Sequence, residues 1–356
     1  NDNMDQNTFN QVVQDFISIC SNGTLIYDKN TFKKTENPII SVIITVHNGE
    51  AFIKNAIRNL QNQDLHNIEM IVIEDDSKDK SVENIKELMK EEPRIVYFQT
   101  QGNRGYLYAV KLGIMNSKGK YITVLDVDDY FCAENALSIM LAESEKENVD
   151  ILGFPASQGY MDMITYKYTH TSFHNNMETP IMHQPEISYM AFQKNSNGQV
   201  TGMRDVVWGY SYKAEFAIKA ANEIEEEKYL NVINNSCADL LMFYILTKRA
   251  ATMKHIKKVL YAIIQVKKSE NSVVKYFTEE KYQVRNQYKC PAFLTFIEFT
   301  LVKSDSDVRY TSYLMEHFFL NNECKQQTAI RNEAIRICKL FLENQYIDKN
   351  IKKHIK

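Results

Sequence analysis

The chain has one tryptophan, six prolines and eleven glycines in 356 residues. So little proline and glycine excludes a collagen-like chain and a Pro/Gly-rich disordered one. No apolar run reaches the ~18 residues of a membrane span; the most apolar stretch, Val259–Val266, is far shorter and sits among lysines. Neither charge sign is in excess. The 42 Lys+Arg against 45 Asp+Glu leave a net charge of -3, which excludes the basic balance of a general nucleic-acid coat. Cys20, Cys132, Cys237, Cys290, Cys324 and Cys338 lie far apart, so zinc-ribbon spacing is excluded and either disulfides or scattered buried thiols remain. Two glycosylation sequons, at Asn22 and Asn234, matter only in a secretory compartment. With a first residue that is not Met, they leave two expectations for localisation: a secretory lumen, after loss of a leader or anchor, or the cytoplasm.

What is present is a globular composition, 44% hydrophobic and 24% charged, with length for two domains or one large domain with an appendage. Phe9, Val12, Val13, Phe16 and Ile17 recur at helical spacing, which predicts a helical arm over residues 1–37. From residue 39 the pattern changes. Ile39–Ile44, Ile68–Ile73, Arg94–Gln99 and Tyr121–Leu125 read as short buried strands. Helices alternate with them: one through Phe52, Ala56 and Leu60, one through Val82, Ile85 and Leu88, and one over Ala109–Asn116. That alternation predicts an open, mostly parallel α/β sheet, whose ligands bind beyond the carboxyl ends of its strands. Three strands end in polar or acidic loops: Thr45–Asn48, Glu74–Asp79 and Asp126–Asp129. Ile151–Phe154 reads as a further strand, and the next 50 residues or so, rich in Tyr, His, Met and Asn, have no clear period and read as loops. Helix returns over 214–250, and residues 276–356 read as a helical extension.

The acidic loop Asp126-Val127-Asp128-Asp129 is the densest chemistry. Alternate residues of an extended segment face one way, so Asp126 and Asp128 can meet one ligand. Crowded carboxylates raise each other's pKa unless a cation neutralises them, and a hard ion, Mg²⁺ or Mn²⁺, would do so. The bland alternative is a solvated turn with a capping Asp. Glu74-Asp75-Asp76 offers acceptor-only carboxylates, for a base N–H or for a helix cap.

These residues also carry a resemblance. Pro38–Gly49 resembles the opening strand and turn of family 2 glycosyltransferases, and Ile71–Asp79 resembles that family's V-V-D-D-G-S-x-D. Asn103-Arg104-Gly105, Gly113-Ile114, Gly119–Ile122 and Leu125–Asp129 follow in the family's order. The resemblance is specific from Ile39 to Phe131 and looser over 205–275. It implies the GT-A fold, with 38–275 as the transferase domain: 38–131 the nucleotide-sugar half and 132–275 the acceptor half. It implies inverting, metal-dependent transfer of a sugar from a nucleotide-sugar, commonly UDP-linked, to a glycan or glycoconjugate. Thr45, His47 and Asn48 would pass the uridine, Asp75 would take the uracil edge, and Asp126 would meet ribose or metal. Asp128 would hold Mn²⁺ or Mg²⁺, and Lys268 or its neighbour Lys267 would reach the diphosphate, although a solvated Lys pair is the plainer reading there. Asp239 would be the general base, and Trp208 and Asp129 would face the acceptor. Several residues depart from the family pattern: Ala238 stands where a Glu is usual, His47 where Tyr is common, Asp76 where Gly is usual and Val110 where Arg is frequent.

Three functions compete. The first is an active glycosyltransferase, supported by the intact D-V-D-D. The second is a non-catalytic GT-A domain that binds a glycan or nucleotide-sugar or serves as a structural partner, supported by Ala238 and the altered loops. The third, a nucleotidyltransferase, lacks the Gly-rich basic first loop of that class. The balanced net charge also hides an asymmetry. Residues 244–290 hold eleven Lys+Arg against three acids, a stretch expected to face a diphosphate or an anionic acceptor.

Overall fold

The computed structural model describes residues 6–162, 167–191, 206–225 and 238–266. The expected C-terminal helices, Lys268 and the sequon at Asn234 lie outside the described residues.

Four parallel strands form the centre: β1 (Ile40–Val46), β2 (Ile68–Glu74), β3 (Ile95–Gln99) and β4 (Tyr121–Asp126). They stand in the order β3-β2-β1-β4, with Thr45 paired to Ile73 on one side and to Asp126 on the other. The loops after β1, β2 and β4 therefore leave the same edge of the sheet. Beyond β4 the sheet continues through β10 (Tyr210–Lys213), antiparallel to its neighbours, then β6 (Ile151–Gly153), β11 (Thr252–His255) and β9 (Met182–His183). A second sheet joins β5 (Tyr130–Phe131), β12 (Tyr261–Val266), β7 (Ala156–Met161) and β8 (Tyr168–His174). The β7–β8 hairpin occupies part of the segment that sequence periodicity assigned to loops.

Side chains alternate across β1: Ile43 enters one core, while Ile40, Val42, Ile44 and Val46 enter the other. The first core is closed by α4 (Tyr106–Met115), α7 (Ala214–Asn222) and α8 (Ala238–Arg249), and the second by α2 (Ile53–Gln61) and α5 (Ala136–Glu147). The helix α3 (Ser81–Glu91) contributes Ile85 to the second, and α6 (Glu186–Ala191) contributes Ile187 to the first. Gly113 seats α4 on the sheet, because a Cβ there would stand 2.5 Å from the Ile43 side chain.

The arm is helical, as α1 (Gln6–Ser21), and it packs on the second sheet. Val13, Phe16, Ile17 and Cys20 are its buried face, whereas Val12 is 39% exposed, so the stripe is shifted from the one expected. Cys20 and Cys132 are buried free thiols, and burial pushes them up to about 11 and about 12, which makes them inert.

Candidate active site

The site is built where the loops after β1, β2, β3 and β4 meet. His47 ties three of them together. Its Nδ1–H donates to the Asp75 carbonyl at 2.6 Å, and Nε2 accepts from the side-chain amides of Asn48 (3.1 Å) and Asn103 (3.4 Å). Asn48 holds the first loop to the second: its N–H donates to Ser77 Oγ, and its Oδ1 accepts from Lys78 N–H. Asn48 and Asp76 both take positive φ, 52° and 59°. Asn and Asp are the non-glycine residues that best tolerate this region, so Asp76 makes the turn that the family pattern assigns to Gly. Thr45 is half-buried at the end of β1.

Asp75 is 4% exposed and heavily bonded. Its Oδ1 accepts from the Thr100 hydroxyl and the Arg104 N–H, and its Oδ2 from the Gly105 N–H, each at 2.7 Å. A carboxylate has about four acceptor sites, so three bonds leave about one for a ligand. The carboxylate thus fixes the loop over 100–105 and the start of α4, where Gly105 takes φ 82°.

The aspartate loop is held by two tyrosines. The Tyr106 hydroxyl donates to Asp126 Oδ1 at 2.9 Å. The Asp126 N–H donates to the Tyr261 hydroxyl at 3.0 Å, which in turn donates to Asp129 Oδ2 at 3.0 Å. Asp129 Oδ1 accepts from the Ile264 N–H of β12 at 2.8 Å. Asp129 is therefore buried and committed on both oxygens. Burial first, then the charges of Asp128 and Asp126, pushes its carboxyl well above the usual range. Asp128 differs from its neighbours. It is half-buried and has no hydrogen-bond or ion-pair partner among the described residues.

This donor set fits a divalent ion only in part. Among the described residues no three His, Cys, Asp or Glu side chains gather around one point. A Mg²⁺ or Mn²⁺ ion would have Asp128, with Asp126 beside it, and would need other oxygens to complete its shell. That matches how such ions sit between one or two carboxylates and substrate phosphates.

Asp239 lies in the first turn of α8, half-buried, where a carboxylate favours the helix dipole. Its charge, with that of Asp126, helps to hold the Tyr106 hydroxyl well above the ordinary range, after burial. Sequence reading missed Tyr106 and Tyr261; the signal available was an aromatic residue directly after the Asn-x-Gly turn and another opening an apolar run.

Trp208 is 6% exposed, and its ring stacks on Tyr261, centroids 5.2 Å apart and 11° from parallel. One of its faces is therefore already covered. Val110 is fully buried between α4 and the sheet. Four cations of the basic stretch have partners among the described residues. Arg249 pairs with Glu223, Lys254 with Glu147, Lys257 with Glu178 and Lys258 with Glu143. Their partners are glutamates of α5, of the α7 C-terminal end and of the segment after β8; the members from Lys267 onward lie outside the described residues.

Residues 41–214 match the sequence model of glycosyl transferase family 2. The chain is 38% identical over 107 residues to an uncharacterized glycosyltransferase of Haemophilus influenzae, covering 29% of this chain and 43% of that protein. It is 31% identical over 117 residues to a GalNAc(5)-diNAcBac-PP-undecaprenol beta-1,3-glucosyltransferase of Campylobacter jejuni, covering 33% of this chain and 38% of that one. It thus spans less than half the length of either relative. In fold it is similar to S. aureus TarS 1–349 in complex with UDP, with a TM-score of 0.56 at 13% identity over 89% of this chain and 85% of that one. The same TarS segment in complex with UDP-GlcNAc matches at a TM-score of 0.56 and 16% identity, over 88% of this chain and 82% of that one. Residues 41–214 thus carry the sequence of glycosyl transferase family 2, and the architecture is that of the GT-A fold.

Proposed function

We propose that the protein transfers a sugar from a nucleoside diphosphate sugar, with UDP as the nucleotide, to a hydroxyl of a glycan or glycoconjugate. The observation that carries this reading is the convergence of the His47, Asp75 and Asp126–Asp129 loops at the carboxyl edge of β1, β2 and β4. The UDP and UDP-GlcNAc complexes of TarS, a protein of the same fold, support the choice of nucleotide.

In this reading the remaining acceptor site of Asp75 takes a base N–H, and Thr45, His47 and Asn48 line the uridine. Asp126, oriented by Tyr106, faces the ribose side. Asp128 is the metal ligand, and the bound ion would neutralise charge developing on the diphosphate leaving group. Asp239 accepts the proton of the attacking acceptor hydroxyl. Lys268 remains proposed for the diphosphate. For Trp208 and Asp129 we assign positioning rather than acceptor contact: Trp208 braces Tyr261, and Asp129 anchors β12.

The test is a thermal-shift screen of UDP-sugars with and without Mn²⁺ on wild type and Asp128→Ala. The reading expects a Mn²⁺-dependent rise in the wild type that is lost in the variant. The same shift in both removes Asp128 as the metal ligand. Mn²⁺-dependent binding with no turnover on any acceptor supports the non-catalytic alternative, which Ala238 favours.

A further inference from the structure

We propose that Tyr106 is a positioning residue that registers the aspartate loop against the base-binding loop, an inference that rests on the nucleotide-sugar reading above. The linkage is short and continuous. Asp75 Oδ2 accepts from the Gly105 N–H at 2.7 Å, Tyr106 is the next residue, and its hydroxyl donates to Asp126 Oδ1 at 2.9 Å. Two carboxylates at the carboxyl ends of different strands are thereby joined through one peptide unit and one rigid ring.

The ends of this linkage are fixed. Gly105 takes φ 82°, a conformation that L side chains rarely adopt, and this turns the chain so that Tyr106 opens α4. Leu107, Ala109 and Val110 bury the same helix in the core, and Gly113 brings it against Ile43 of β1. The helix therefore has little freedom to carry Tyr106 away from Asp126. A hydroxyl donating to a carboxylate is a charge-assisted bond, so it selects one orientation of Asp126 before any ligand arrives. The Arg104 N–H, one residue before Gly105, donates to the other oxygen of Asp75 and holds the same end of the linkage a second time.

The test is a double-mutant cycle on UDP affinity, measured by calorimetry in Mn²⁺ on the full chain. The proteins are wild type, Tyr106→Phe, Asp126→Ala and the double variant, with Asp128→Ala as a control. Tyr106→Phe keeps the ring and should weaken UDP binding about tenfold, the scale of one hydrogen bond to a charged group. In the Asp126→Ala background the same change should add less than about twofold, because Tyr106 acts through Asp126. A merely structural tyrosine would give equal losses in both backgrounds, and that result overturns the inference. If wild type binds UDP, Asp128→Ala does not and Tyr106→Phe binds like wild type, the inference falls and the nucleotide-sugar reading stands. If wild type fails to bind UDP, both fall. Should Tyr106→Phe not fold, Tyr106→His, which keeps a ring with an N–H donor, replaces it; equal losses in its two backgrounds likewise overturn the inference.

Discussion

His255, at the end of β11, is completely buried, and neither ring nitrogen has a hydrogen-bond partner among the described residues. Gly153 makes room for it, since a Cβ at that glycine would stand 2.3 Å from the imidazole, and Tyr210 meets the ring edge-on at 5.6 Å. Burial holds the imidazole neutral and pulls its pKa from 6.5 down to about 4. The unfolded chain takes up a proton near pH 6.5, whereas the folded one does so only near 4. Stability is therefore full above 6.5 and is lost as pH falls between these values. The complete loss is about 3 kcal/mol, at ~1.36 kcal/mol for each pH step between the two values, with about 2 kcal/mol already gone at pH 5. His255→Leu removes the titrating group and fills a similar volume. Urea unfolding of both proteins at pH 7 and pH 5 isolates this residue, because every other titrating group cancels in the difference. The wild type should lose about 2 kcal/mol more than the variant on going to pH 5. Equal pH dependence in the two proteins would refute the reasoning and show that His255 is protonated, or bonded, in the folded state.

Three further outcomes follow from particular contacts. Tyr261→Phe keeps the stack on Trp208 but strands the Asp126 N–H and one oxygen of Asp129, so urea unfolding should show a loss of about 1–3 kcal/mol. Gly119→Ala would place a Cβ 2.5 Å from the Ser41 backbone nitrogen; because backbone cannot swing aside, a loss of about 2–3 kcal/mol is expected, read as a lowered Tm. Asp239→Asn should lower sugar transfer by roughly 10²–10⁴-fold while UDP affinity stays within about twofold of wild type; retained transfer would place the base elsewhere.

The central strands were legible because each is a β-branched apolar run ended by a polar turn, and Ile40–Val46 and Ile68–Glu74 are buried along almost their whole length. The β7–β8 hairpin was not legible. Its residues mix Ser, Gln, Gly and His with apolar ones, and a register shift between Gln158 and Gly159 breaks the two-residue period. The start of α4 was placed three residues late, at Ala109, because Gly105 gives no side-chain cap to mark it. That error hid Tyr106. The aspartates were visible as a motif, but their division was not: Asp126 and Asp129 are bonded to tyrosines and Asp128 is left open. That distinction depends on Tyr261, which is 135 residues from Asp126 and 132 from Asp129. The pairing of Arg249, Lys254 and Lys258 was not legible either, since their partners Glu223, Glu147 and Glu143 come from elements distant in sequence.

The central claim is that the loops at the carboxyl edge of β1, β2 and β4 activate a nucleotide-sugar. The most direct measurement is release of UDP from a panel of UDP-sugars, without acceptor, in the presence and absence of Mn²⁺, by wild type and Asp128→Ala. The account predicts slow, Mn²⁺-dependent release from at least one UDP-sugar by the wild type and none above background by Asp128→Ala. No release by either protein, together with no binding of UDP, would contradict it.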